Sequence, residues 1–125
     1  MKVKGAMNKA IAVEHNITLH EAADIMSHKN IGSLIAVKKG QILGIVTERD
    51  VMKNLSKLDS KIGTVMARKV VTINEDSDLD EAALLMAKNK IRRLPVTRNG
   101  ELVGMITSTD LIAHSEEISE EFLFD

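Results

Sequence analysis

Shifted by 60 residues, this 125-residue sequence lands on itself. Leu19, Glu21, Ala22, Ala23, Met26, Ile31, Leu34, Gly40, Gly44, Thr47 and Asp50 meet Leu79, Glu81, Ala82, Ala83, Met86, Ile91, Leu94, Gly100, Gly104, Thr107 and Asp110. That is 11 identities over the 34 positions from 19 to 52, where average composition would give roughly two. Most other pairs exchange one apolar residue for another, as in Ile42/Leu102, Ile45/Met105 and Val51/Leu111. Met7 matches Met66 at an offset of 59, which places a one-residue insertion near positions 74–77. A duplication this regular calls for one supersecondary unit used twice. A copy of about 60 residues has too little core to be comfortable alone.

Each copy reads β-α-β-β-α, an α+β pattern. Short extended stretches at 11–13 and 70–73 come first. Leu19, Ala22, Ala23 and Met26 then recur at i, i+3, i+4 and i+7, one apolar stripe of a helix, and Thr18 with Glu21 forms a capping box at its start. Two β-rich runs follow, 34–37 and 42–47, joined by Lys38-Lys39-Gly40. In the second copy the joint is Arg98-Asn99-Gly100, and Asn-Gly is a strong hairpin signal. Another helix opens at Thr47 and at Thr107. The expected organisation is one repeat over 7–58, a second over 62–114 and an acidic tail over 115–125. The boundary falls in the polar stretch 56–61, and the two copies pack through their sheets about a pseudo-twofold axis.

Composition removes several classes of function. Lys plus Arg total 17 and Asp plus Glu 18, so the basic footprint of a nucleic-acid binder is missing. The only aromatics are Phe122 and Phe124, so base-stacking platforms are unavailable. There is no cysteine, hence no disulfide, thiolate zinc site or thiol nucleophile. His15, His20, His28 and His114 show no i, i+4 pair, so no metal site is expected. No P-loop and no nucleophile elbow occurs. No apolar run, 42–46 included, is long enough to span a bilayer. The expectation is a cytoplasmic protein that is not an enzyme.

Gly44-Ile-Val-Thr47-Glu-Arg-Asp50 and Gly104-Met-Ile-Thr107-Ser-Thr-Asp110 resemble the closing motif of cystathionine β-synthase (CBS) domains. The element order, the period near 60 residues and Ile91-Arg-Arg-Leu-Pro95-Val resemble that family too. The likeness runs from Met7 to about Ala113. It implies a tandem CBS pair, or Bateman module, a sensor whose clefts between the two halves bind adenosine-containing ligands: AMP, ADP, ATP or S-adenosylmethionine and its relatives. It also implies a homodimer, a flat disc in many members. No second domain is evident in the sequence, so the regulated target is expected to be a separate protein. No catalytic cofactor is implied.

Thr47-x-x-Asp50 and Thr107-x-x-Asp110 admit two readings. One is helix capping, which satisfies orphan amides with no ligand. In the other, the Asp accepts the hydroxyls of a ribose cis-diol while the Thr hydroxyl and nearby amides face a phosphate. Arg49, a cation in a first helical turn, stands at the unfavourable end of the helix dipole, which a nearby anion would explain. The resemblance implies that each cleft joins the box of one copy to the strand start of the other. Site 1 would combine Ile45, Thr47, Arg49 and Asp50 with Lys69, Val71, Ile91, Arg92 and Arg93. Site 2 would combine Met105, Thr107, Thr109 and Asp110 with Ala10, Ala12, Ile31, Gly32 and Ser33. The first set holds three arginines and a lysine and suits phosphates. The second has no basic residue and suits an uncharged adenosyl group or no ligand. Adenine would lie against Ile45 and Ile91, near the backbone at Val71. Two alternatives stay open: a structural dimerisation module with vestigial clefts, and a sensor of S-adenosylmethionine or methylthioadenosine. The tail carries Glu116, Glu117, Glu120, Glu121 and Asp125. Ile118 and Phe122 are four residues apart, either a frayed end or a contact for a dimer or target.

Overall fold

The structure, a computed structural model, describes residues 1–117. It divides into two compact units, Ile11–Val70 and Met1–Ala10 together with the chain from Val71 onward. In the first unit, β1 (Ala12–Glu14) lies parallel to β2 (Ser33–Lys38), and β2 pairs antiparallel with β3 (Gln41–Thr47). Helix α1 (Leu19–Lys29) connects β1 to β2, and α2 (Glu48–Lys53) follows β3. The second unit repeats this with β4 (Ile73–Asn74), α3 (Leu79–Asn89), β5 (Arg93–Arg98), β6 (Glu101–Thr107) and α4 (Ser108–Ala113). The expected α+β architecture of two β-α-β-β-α repeats is present, as two mixed three-stranded sheets.

Local chemistry accounts for the element ends. The Thr18 hydroxyl accepts the Glu21 amide at 3.1 Å while the Glu21 carboxylate accepts the Thr18 amide, the capping box expected from sequence. Both long helices stop at a left-handed residue, Asn30 (φ 53°) and Lys90 (φ 55°). The next amides, of Ile31 and Ile91, return to the carbonyls of Met26 and Met86 and so satisfy the last turns. Each hairpin turns through two residues of positive φ, Lys39-Gly40 and Asn99-Gly100, the mirror-image turn whose twist matches paired strands.

Apolar stripe and strand faces then build one core per unit. Leu19, Ala22 and Met26 of α1 meet Leu34, Ala36 and Val46 of the sheet. In the other unit Leu79, Ala82, Ala83 and Met86 meet Leu94, Val96 and Ile106. Each core is completed by a segment from outside the repeat that dominates it. Fully buried Ile62 plugs the core of Ile11–Val70, and its amide donates to the Ile17 carbonyl. Fully buried Val3 plugs the other, and its amide donates to the Ser77 carbonyl. The passages between compact units fall at Ala10/Ile11 and Val70/Val71. Residues 7–10, which head the first copy of the sequence, sit in the unit built on the second copy. The period of the sequence marks where a motif begins but not which sheet a leading segment covers.

The tail is described only as the short 3-10 turn Ser115–Glu117; the pairing of Ile118 with Phe122 lies outside the described residues.

Candidate functional site

The two Thr-x-x-Asp boxes stand where the outer strand of each three-stranded sheet turns into a short helix. In the unit Ile11–Val70, β3 ends at Thr47, extended at φ −124° and ψ 168°, and α2 begins at once. Asp50 Oδ2 accepts the Thr47 amide at 2.8 Å and the Thr47 hydroxyl at 3.2 Å, and the Asp50 amide donates to Thr47 Oγ1 at 3.4 Å. In the other unit Asp110 Oδ2 accepts the Thr107 amide at 2.8 Å and hydroxyl at 2.9 Å, and the Asp110 amide donates to Thr107 Oγ1 at 3.3 Å. Both boxes are half-buried. The capping reading is therefore correct for both, and it engages one carboxylate oxygen of each Asp. The other oxygen is left to different chemistry.

That other oxygen is where the boxes part. Asp110 Oδ1 accepts a 2.7 Å hydrogen bond from the side-chain amide of Asn8. The position equivalent to Asn8 is Ala67. Asn8 exchanges two backbone hydrogen bonds of 2.8 Å with Met105, and Ala67 exchanges two of 2.9 Å with Ile45. Ala67 has no side-chain donor, so Asp50 Oδ1 receives no counterpart of the Asn8 bond. Both segments lie close against their strands at a glycine. A methyl at Gly44 would come within 2.7 Å of the Ala67 carbonyl, and one at Gly104 within 2.9 Å of the Asn8 carbonyl.

Each expected set of site residues draws on both units, and their placement within each unit is as follows. Gly32 and Ser33 lie beside the Thr47 box: the Gly32 carbonyl accepts the Glu48 amide at 3.1 Å, and Ser33 pairs with Thr47. Ile45 faces Ile35 on β2 and Ala67 on its other edge. Arg49 is exposed and has no ion pair among the described residues; Lys69 and Ala12 are exposed as well. Ile31 packs on the core of this unit. In the other unit Arg92 and Arg93 lie beside the Thr107 box. The Arg92 carbonyl accepts the Ser108 amide at 2.8 Å, and Arg93 pairs with Thr107. Met105 pairs with Pro95 and Asn8, Thr109 is exposed and Ala10 half-buried. Val71 and Ile91 pack on the core, the ordinary role for such residues. Within units, then, the strand-start arginines neighbour Asp110, and the small Gly32-Ser33 pair neighbours Asp50.

Sequence reasoning missed Asn8. The match of Met7 with Met66 aligns Asn8 with Ala67, but nothing in that alignment says that an Asn there reaches the carboxylate. A groove of about 360 Å³ also opens between α1 and α2, lined by Ala23, Met26, Ser27, Asn30, Ile31, Glu48, Val51 and Met52. Of the expected site residues it contains only Ile31. Among the described residues no group of three His, Asp or Glu side chains could hold a metal ion, and no helix is long and apolar enough to cross a membrane.

Residues 3–57 and 62–117 each match the family model described as CBS domain. The CBS domain-containing protein YhcV of Bacillus subtilis is 33% identical over 114 residues, covering 87% of this chain and 81% of that protein. An inosine-5′-monophosphate dehydrogenase of Thermoplasma acidophilum is 41% identical over 96 residues; the match covers 76% of this chain but only 19% of the dehydrogenase. Among solved structures, the CBS domain pair of protein MJ0100, in complex with 5′-methylthioadenosine and S-adenosyl-L-methionine, superposes with a TM-score of 0.85 at 34% identity. It covers 93% of this chain and 96% of that one.

Proposed function

The chain belongs to the CBS-domain family as a tandem pair, and from that premise we propose that it is a non-catalytic sensor of adenosine-containing ligands, adenine nucleotides first among them. The observation that carries this reading is the half-used carboxylate. Capping the short helices needs one oxygen of Asp50 and of Asp110, so each keeps a second acceptor oxygen to hold a ribose hydroxyl, although on Asp110 that oxygen already accepts from Asn8. Thr47 and Thr107 fix the rotamer of those carboxylates and so orient them in advance. Arg49, exposed one residue before Asp50, supplies positive charge for a phosphate. Occupancy would be signalled to a separate target protein, and the module would act as a homodimer. The match takes in only 19% of the Thermoplasma acidophilum dehydrogenase, which supports a regulatory part rather than a catalytic one.

The ultraviolet spectrum tests this reading directly, because without Trp or Tyr the protein is nearly transparent where adenine absorbs. Freshly purified protein should carry an adenine band, and mass analysis of the released compound should name the ligand. Calorimetry with AMP, ADP and ATP should then show affinity lost on Asp50→Ala by about ten- to a hundredfold, the effect of one hydrogen bond to a charged group. If that variant melts earlier yet binds nucleotides as before, the boxes only cap helices and the sensor reading falls.

One observation favours a second ligand class. The MJ0100 pair, at 34% identity, was solved with 5′-methylthioadenosine and S-adenosyl-L-methionine. Competition between these compounds and the nucleotides separates the two readings: displacement of ATP by methylthioadenosine would move the assignment to uncharged adenosyl ligands.

A further inference from the structure

We propose that Asn8 is an intramolecular latch on the second ligand box, one that makes the two sites of this chain unequal. The inference rests on the sensor reading and goes beyond it by naming a residue that sets affinity at one site alone.

The Asn8 amide reaches Asp110 Oδ1 at 2.7 Å, while Asp110 Oδ2 is held by the Thr107 amide and hydroxyl. Both oxygens of Asp110 thus have donors before any ligand arrives. A ribose hydroxyl that approached this carboxylate would meet a donor already there. The latch is not a floppy terminal side chain. Its backbone is pinned to Met105 by a reciprocal pair of hydrogen bonds, and the preceding Met7 lies tight against Gly104. A donor whose backbone is fixed gives up little freedom in making its bond, so the bond competes well with a ligand.

Asp50 forms the internal reference. Its box has the same capping geometry, and its flanking segment makes the same reciprocal backbone pair, at Ala67 and Ile45. At the latch position the side chains differ: Asn8 donates to Asp110, and Ala67 has no donor to offer Asp50. The Asp50 site is therefore ready for ligand, whereas the Asp110 site must first displace Asn8. At low ligand concentration the first fills and the second stays closed; at higher concentration both fill. One chain would thus report two concentration ranges of a single ligand.

Both latch positions are exposed, so substitutions there leave the cores alone. Calorimetry with AMP and with S-adenosylmethionine on the wild type, Asn8→Ala and Ala67→Asn provides the test. Asn8→Ala should tighten the weaker binding event, or reveal a second one, by about three- to tenfold, the effect of one ordinary hydrogen bond. Ala67→Asn should weaken the stronger event by a similar factor. Unchanged or weaker binding in Asn8→Ala overturns the latch, and weaker binding would make Asn8 a ligand contact instead. Asp50→Ala and Asp110→Ala distinguish the two levels of failure. If they still abolish their respective events while Asn8→Ala does nothing, the latch is wrong and the sensor stands. If neither matters, the sensor reading is wrong and the latch falls with it.

Discussion

The unit Ile11–Val70 and the unit built on the second repeat share a backbone plan down to a register shift in the hairpin, at Ala36/Val37 and at Val96/Thr97, yet they solve the same local problems with different residues. The left-handed end of the long helix is an Asn in one (Asn30) and a Lys in the other (Lys90). At the hairpin the assignment is reversed, Lys39 against Asn99. Thr18 caps α1 with its side chain, whereas Asp78, in the same place, makes no side-chain cap. The Ile35 amide donates to the Ile11 carbonyl at 3.0 Å, but its counterpart Pro95 has no N–H to give. β4 accordingly spans two residues where β1 spans three. What survives in both units is what the fold cannot do without: the buried plug, the close glycine and the Thr-x-x-Asp box. What varies is worth a fraction of a kcal/mol to about one.

Three measurements would sharpen or break that division. The plugs should carry the largest effect. Ile62→Ala should lower the stability of the chain by about 3 kcal/mol and Val3→Ala by about 2 kcal/mol in urea denaturation, the cost of a core truncation scaled to its size. A loss under about 1 kcal/mol at either position would show that the segment is an accessory and not part of the core.

The caps come next. Thr18→Ala should cost about 1 kcal/mol, while Asp78→Ala should cost less than about 0.5 kcal/mol, since only a dipole interaction is lost. Equal costs would remove the contrast. The same variant has a signature in acid. Hydrogen bonds from the Thr18 amide, then from its hydroxyl, hold the Glu21 carboxyl below the usual glutamate value. A lowered folded-state value means that this stabilisation is complete above the ordinary glutamate pKa and is lost as pH falls through the lowered one. Carbon-13 NMR titration should find Glu21 titrating low in the wild type and part of the way back to normal in Thr18→Ala, where only the amide donor remains.

The left-handed lysines should show the smallest effect. Lys39→Asn and Lys90→Asn should each raise stability by about 0.5 kcal/mol, because Asn tolerates positive φ better than Lys. Asn99→Lys and Asn30→Lys should lose a similar amount. A gain in one unit but not the other would mean that the surrounding contacts, and not the backbone angle, set the preference.

Much of this arrangement was legible from local patterns. Thr18 and Glu21 announced the start of α1, Asn99-Gly100 announced a hairpin, and the spacing of Leu19, Ala22, Ala23 and Met26 announced the buried face, all because the signals lie within a turn or two of the structure they specify. The plugs were not legible. Val3 and Ile62 are apolar residues in short stretches without periodicity, and their partners lie in a sheet formed elsewhere in the sequence. The site was legible in its boxes and illegible in its neighbours. The cross-strand pairing of Arg93 with Thr107 depends on register, and the reach of Asn8 to Asp110 spans 102 positions of sequence.

The exchange of leading segments also orders events in time. As the chain emerges during synthesis, Met1–Ala10 appears before Ile11–Val70, but its partners begin only at Val71. Everything that Ile11–Val70 requires is present by the time Val70 is made, so that unit can close early through contacts of modest sequence separation. The second unit must then bring together two parts separated by 60 residues of sequence, a longer-range closure that is slower to form. Met1–Ala10 is thus made ahead of Ile11–Val70 yet finds its place after it, and Asn8 travels with it.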